Sequence, residues 1–184
     1  MADSLRGKLL VAAPSLADPN FYRTVVLMLE HTDEGAAGVV LNRPTDTKVR
    51  EALPDWADVA AEPGVVFVGG PVQQTGVICL GRVVPNSAPE GFLELADGMG
   101  SVDLEQDAAL VVPDIEVLRV FAGYAGWGAG QLESELGEDA WLVLESLPGD
   151  VFATDPRHLW REVFRRQIGK LRLLANFPPH PSLN

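Results

Sequence analysis

Gly123-Tyr124-Ala125-Gly126-Trp127-Gly128-Ala129-Gly130-Gln131-Leu132-Glu133-Ser134-Glu135-Leu136 is the stretch on which the reading of this chain turns. It sits between an apolar run, Val117 to Phe121, and a second that begins at Trp141. Glycines spaced this closely let the backbone take positive φ and let a second backbone or a ligand come near. The expectation is a tight glycine-rich turn that carries a strand into a short acidic helix. Gln131 to Leu136 has helical spacing, with Leu132 and Leu136 on one face. A dinucleotide fingerprint fails here because its third glycine would have to fall at Gln131. Trp127 is expected to plug the core, Gln131 to tie down loop backbone, and Glu133 and Glu135 to favour the helix N-terminal dipole. The competing reading puts Trp127, Gln131 and Glu135 in a pocket, since Gln131 and Glu135 share a face at i, i+4.

Working outward, Lys8 to Ala13 reads as a buried strand ended by Pro14. Asp18-Pro19-Asn20-Phe21 has the chemistry of a capped turn. Arg23 to His31 is a continuous apolar run of the kind covered on both faces, and Ala36 to Asn42 is its hairpin return, closed by Arg43-Pro44. Val49 to Trp56 predicts a short helix, and Val65 to Val68 a buried strand that stops at Gly69-Gly70-Pro71. Val77 to Val84 is a further strand, and Phe92 to Asp107, alternating around Gly98 and Gly100, suggests two short strands and a tight turn. Periodicity leaves the type of Ala108 to Val112 open, whereas β-branched content favours strand for Val117 to Phe121. Trp141 to Leu147 returns as a strand. Thr154-Asp155-Pro156 is a helix start, followed by the apolar stripe Leu159, Trp160, Val163, Phe164 and Ile168. The chain reads as one domain, 1–176, with a mobile proline-rich tail, 177–184.

The 184 residues are 47% hydrophobic, enough for a sizeable core without staples. A single cysteine, Cys79, excludes an intrachain disulfide framework and any multi-cysteine metal site. No basic-then-apolar leader opens the sequence and no apolar run reaches membrane-spanning length, so a soluble, cytoplasmic protein is expected. The net charge of −12 repels phosphate backbones and anionic lipid surfaces. Residues 157–172 are the exception, holding six basic side chains against Glu162. This expected basic helix neutralises the acidic body, and direct nucleic-acid binding through it is disfavoured.

No complete catalytic set is visible. Gly69-Gly70-Pro71 follows a strand but lacks the Gly-Lys-Ser/Thr of a phosphate loop. No Gly-x-Ser-x-Gly elbow occurs. Cys79 lies in an apolar run with no basic neighbour before Arg82. His31, beside Glu30 and near Asp33 and Glu34, has the makings of a base or a single metal ligand. One histidine with scattered carboxylates does not make a metal site, and a hydrogen-bonded structural His31 is preferred.

Taken in order, Gly7 to Pro14, Asp18-Pro19-Asn20-Phe21, Glu30-His31, Gly38, Asn42-Arg43-Pro44, Gly69-Gly70-Pro71-Val72 and the Gly123–Leu136 stretch resemble the YqgE/AlgH family of small bacterial proteins. The resemblance implies an α+β fold in which a mixed, bifurcated β-sheet closes into a pseudo-barrel with flanking helices. It also implies a label, transcriptional regulator, that rests on genetic association, and it supplies no catalytic residues. The function expected is therefore a non-enzymatic binding or regulatory protein, with an unrecognised enzyme or small-ligand binder as the alternative. The candidate ligand- or partner-binding residues are His31, Asn42, Arg43, Gly69, Gly70, Gly126, Trp127, Gln131 and Glu135. No catalytic residue, metal or cofactor is assigned; the partner is an unknown protein or small ligand, and the oligomeric state is left open.

Overall fold

A computed structural model describes residues 4–179. The chain runs β1 (Leu9–Ala12), β2 (Val25–Thr32), β3 (Gly35–Val40), β4 (Pro44–Lys48), α1 (Val49–Ala52), a 3-10 stretch (Pro54–Val59), β5 (Val65–Val68) and β6 (Val72–Val83). It continues with β7 (Phe92–Ala96), β8 (Met99–Val102), α2 (Ala108–Val111), β9 (Ile115–Gly128), α3 (Gln131–Gly137), β10 (Trp141–Leu144) and α4 (Leu159–Arg165), then a 3-10 stretch, Gly169–Asn176. The strands form one mixed sheet in the order β10-β1-β2-β3-β9-β6-β8-β7. β9 is where it forks. One edge pairs antiparallel with β6 along most of its length, while the other takes β3 at Ala125–Gly128 and, in parallel, β5 at Phe121–Ala122.

Side-chain alternation sends each strand's residues to two sides. Leu9, Val11, Val25, Leu27, Phe67, Leu80, Met99 and Phe121 meet in one cluster with Leu159, Trp160, Val163 and Phe164 of α4. Strands far apart in the sheet share a cluster only on the concave side of a curled sheet, so the sheet is a half-barrel wrapped on α4. The mixed, bifurcated pseudo-barrel expected from the resemblance is present. Trp160 Nε1 pins α4 to β1 by donating to the Ala12 carbonyl at 2.9 Å. On the convex side, Leu10, Val26, Met28, Trp127, Leu132 and Trp141 pack beneath α3, and Trp56, Cys79, Val111, Leu118 and Val120 pack beneath the helical turns of 49–60 and α2.

Three expectations are corrected. The glycine-rich stretch is no turn as far as Gly128: it is the second half of the 14-residue strand β9, and the turn is Ala129-Gly130 alone. Its glycines serve close backbone approach within the sheet. A Cβ at Gly123 would meet the Gly70 carbonyl oxygen at 2.5 Å, and one at Gly70 would overlap the backbone of Tyr124. Second, the basic segment 157–172 is not one helix. α4 stops at Arg165, and Gly169, which opens the 3-10 stretch, takes φ +64°. Third, Ile168 falls in that break and is 90% exposed instead of continuing the buried stripe. Ala108 to Val111 proves helical, with Asp107 accepting the Ala109 N–H at 3.0 Å as its cap. Residues 177–179 carry no regular structure, and the Phe177 carbonyl accepts from Arg23 Nη2 at 2.5 Å. The rest of the expected proline-rich tail, 180–184, lies outside the described residues.

Candidate functional site

A β-bulge in β2 starts the site. Register against β3 shifts between Met28 and Glu30, so Leu29, which packs against the concave core, is followed by Glu30 opposite Ala37, His31 opposite Ala36 and Thr32 opposite Gly35. A matching irregularity lies in β9. Gly123, at φ +73°, interrupts alternation, so Phe121 and Tyr124 both join the concave cluster while Ala125 and Trp127 join the convex one. Together these put Leu29, Ala37, Ile78 and Tyr124 along the open mouth of the half-barrel. Two adjoining hollows of about 460 and 680 Å³ meet there, and both are lined by Glu30, Thr32, Ala37 and Tyr124. The first extends past Glu34, Gly35, Val72 and Gly126 toward Trp127; the second extends past Leu29 and Ile78 to Arg6. The mouth is thus a shallow groove with an apolar floor and a charged rim. A Cβ on Gly126 would lie 3.2 Å from the Tyr124 ring, so glycine there leaves the ring its place. Arg6 closes the far end by donating from Nη2 to the Glu94 carbonyl of β7 at 3.2 Å.

Of the residues singled out from sequence, His31, Gly126 and Trp127 border this groove. His31 has no free nitrogen. Its Nδ1 accepts the Leu5 N–H at 3.1 Å, which places the proton on Nε2, and Nε2 donates to Glu133 Oε1 at 2.8 Å. That bond holds the Glu133 carboxyl below its ordinary value. Gln131 and Glu135 lie on the convex side with the Trp127 side chain. Glu135 Oε2 accepts the indole N–H of Trp127 at 2.9 Å and of Trp141 at 2.8 Å, while Oε1 accepts Gln131 Nε2 at 3.0 Å. Gln131 Oε1 in turn accepts the Gly128 N–H at 3.1 Å. Trp127, Trp141 and Phe21 pack with ring centroids 5.5–6.1 Å apart.

Asn42 and Arg43 border neither hollow. Asn42 Oδ1 accepts the Val25 N–H at 2.9 Å and its Nδ2 donates to the Arg23 carbonyl at 2.8 Å. Arg43 Nη2 donates to the carbonyls of Pro19 and Tyr22, which fastens the Asp18–Tyr22 turn; burial lowers the Arg43 pKa, partly opposed by Asp18. Gly69 and Gly70 pass against the backbone of Gly123 and Tyr124 and border neither hollow. Sequence reasoning missed Leu29, Ile78 and Tyr124. The available signal was the doubled step Leu29-Glu30, where an apolar strand turns polar without clean alternation.

Two further groups are spoken for. Burial pushes the Cys79 thiol up to about 12, far from a thiolate nucleophile. Arg119, 1% exposed, donates to the carbonyls of Val151, Ala153 and Glu62 and lies 4.3 Å from the Phe67 ring centroid; burial lowers its pKa to about 10. Among the described residues, no three His, Cys, Asp or Glu side chains are grouped to hold a metal ion, and no helix is long and apolar enough to cross a membrane. In the basic segment, Arg165 pairs with Glu162 and Arg166 with Asp150, while Arg157, Arg161, Lys170 and Arg172 form no ion pair among the described residues.

A forked mixed sheet curled on a C-terminal helix, with its signature residues bonded to one another and a groove at its mouth, defines a class of small α+β half-barrel proteins. The AlgH-like family model matches residues 9–172, and the chain belongs to that family, the YqgE/AlgH proteins. It is 55% identical over 186 residues to a UPF0301 protein of Streptomyces coelicolor, covering 98% of this chain and 96% of the relative. It is 46% identical to a UPF0301 protein of Thermobifida fusca over 98% of this chain and 96% of that one. A crystal structure of a Corynebacterium diphtheriae protein is similar with TM-score 0.87 and 33% identity, covering 93% of this chain and 91% of that one. The solution structure of the AlgH protein from Pseudomonas aeruginosa, also a UPF0301 protein, is similar with TM-score 0.70 and 31% identity, covering 98% and 97%.

Proposed function

We propose that this protein is a non-enzymatic binding protein whose ligand or partner sits in the groove at the barrel mouth. The observation that carries the reading is a division of labour between polar and apolar side chains. His31, Asn42, Gln131 and Glu135 spend their hydrogen-bonding groups on the fold, whereas Tyr124, Ile78 and Leu29 remain partly exposed around hollows of binding-site size. A general base needs a free lone pair within reach of a substrate proton, and both His31 nitrogens are bonded within the fold. The cytoplasmic location expected from composition and the regulatory role implied by the resemblance fit such a protein, with the groove as the sensing surface.

The test is a fragment screen on the ¹⁵N-labelled protein. Saturable shifts confined to the amides of Ala37, Tyr124 and Gly126, lost in Ile78→Asp while the remaining spectrum is kept, are the expected result. Hits gathered elsewhere, or turnover of a hydrolase or transferase substrate that disappears in His31→Ala, would overturn the proposal.

A further inference from the structure

The rim of the groove specifies its occupant, provided that the groove is the binding site proposed above. Glu30 and Glu34 stand on one wall, both exposed, and neither forms an ion pair among the described residues. Between them the Thr32 hydroxyl donates to the Gly35 carbonyl at 3.4 Å and accepts the Glu34 N–H at 3.2 Å, which fixes the hairpin tip that carries Glu34. The Tyr124 ring and Ile78 form an apolar bed next to those carboxylates. The other ionisable side chains lining the groove are Tyr124, Arg6, at the far end and bonded to the Glu94 carbonyl, and His31, both of whose nitrogens are bonded within the fold. The rim nearest the aromatic bed is therefore anionic, and the chain's charge of −12 adds a field of the same sign.

We propose that the groove takes a small organic cation: an ammonium or guanidinium group borne on an apolar stem. The charged head lies between Glu30 and Glu34 and against the Tyr124 face, where an aromatic quadrupole attracts a cation, and the stem covers Ile78 and Leu29. A carboxylate on the same stem meets repulsion from the wall that attracts the ammonium, so sign alone separates the two by about tenfold or more at low salt. The occupant is a free small molecule, because hollows of about 460 and 680 Å³ match such a body.

The experiment compares n-octylammonium, octanoate and octanol, each below its micelle-forming concentration, by ¹H–¹⁵N shifts on the intact protein. Octylammonium is expected to shift Gly35, Ala37 and Gly126 saturably and to bind at least about tenfold tighter than octanoate. The preference should fall away in Glu30→Gln/Glu34→Gln, whose exposed substitutions leave the remaining spectrum in place, and in high salt. Octanoate or octanol binding the groove as tightly as octylammonium would overturn the cation assignment while leaving the groove as a binding site. Silence from all three probes at these amides would remove the groove reading and this inference together. Non-saturating octylammonium shifts spread over the acidic surface would likewise overturn it.

Discussion

Exchanging the two side chains of the Gln131–Glu135 pair tests the convex-side polar network more sharply than any deletion. In the native protein Gln131 accepts from the Gly128 N–H and donates to Glu135, which also receives both indoles. With Glu135→Gln, the amide oxygen can still take both indole N–H groups, but its NH₂ then faces the NH₂ of Gln131, donor against donor. Gln131 must turn over and release Gly128, and the indole bonds lose their ionic assistance, so a loss of about 1.5–3 kcal/mol follows. With Gln131→Glu, two carboxylates meet at i, i+4 and one hydrogen bond is gone, a cost of about 1–2 kcal/mol. The double variant restores every donor to an acceptor, because a carboxylate at 131 accepts from both Gly128 N–H and the amide at 135. It should lie within about 1 kcal/mol of the native protein, giving a coupling of about 1.5–5 kcal/mol of opposite sign to the single losses. Urea denaturation followed by tryptophan fluorescence reads all four corners. Single losses that add in the double variant to within about 0.5 kcal/mol would refute the donor–acceptor assignment.

Gly70→Ala should cost more than about 3 kcal/mol or abolish soluble expression, since the new methyl would overlap the Tyr124 backbone and backbone cannot move aside within a sheet; a denaturation midpoint near the native one would contradict the packing. Cys79, 2% exposed and with its thiol raised to about 12, should resist iodoacetamide at pH 8 in the native state and react fully in denaturant, which mass spectrometry distinguishes. A ¹³C titration of the Glu133 carboxyl should give a midpoint below the ordinary 4.5 and return toward it in His31→Ala. Because the folded value is the lower one, the stability this bond supplies is complete above the unfolded value near 4.5 and drains as pH falls through the folded value. Acid unfolding of His31→Ala should accordingly lack that component.

The glycine-rich stretch shows how far local reading reaches. Spacing correctly identified α3 and the bond from Gln131 to the loop backbone, because each depends on neighbours within one helical turn, and the size of Trp127 pointed to its burial. Turn chemistry misled between Gly123 and Gly128, where glycines admit the Gly69-Gly70 backbone and the β3 strand instead of reversing the chain. The break at Ile168 was equally hidden, since an apolar residue at helical spacing predicts burial only if the helix continues, and Gly169 at φ +64° does not continue it.

Composition and local pattern by themselves determined most of the strand runs, the Asp18 turn and the family resemblance, all of which are properties of short windows. The mouth groove was decided by tertiary structure alone. Its walls come from β2, β3, β6 and β9 and from Arg6, and the bulges at Leu29 and Gly123 choose which side chains face it. A one-residue irregularity exchanges the two faces of a strand, and nothing within either strand's own sequence records the partner that makes the irregularity fit.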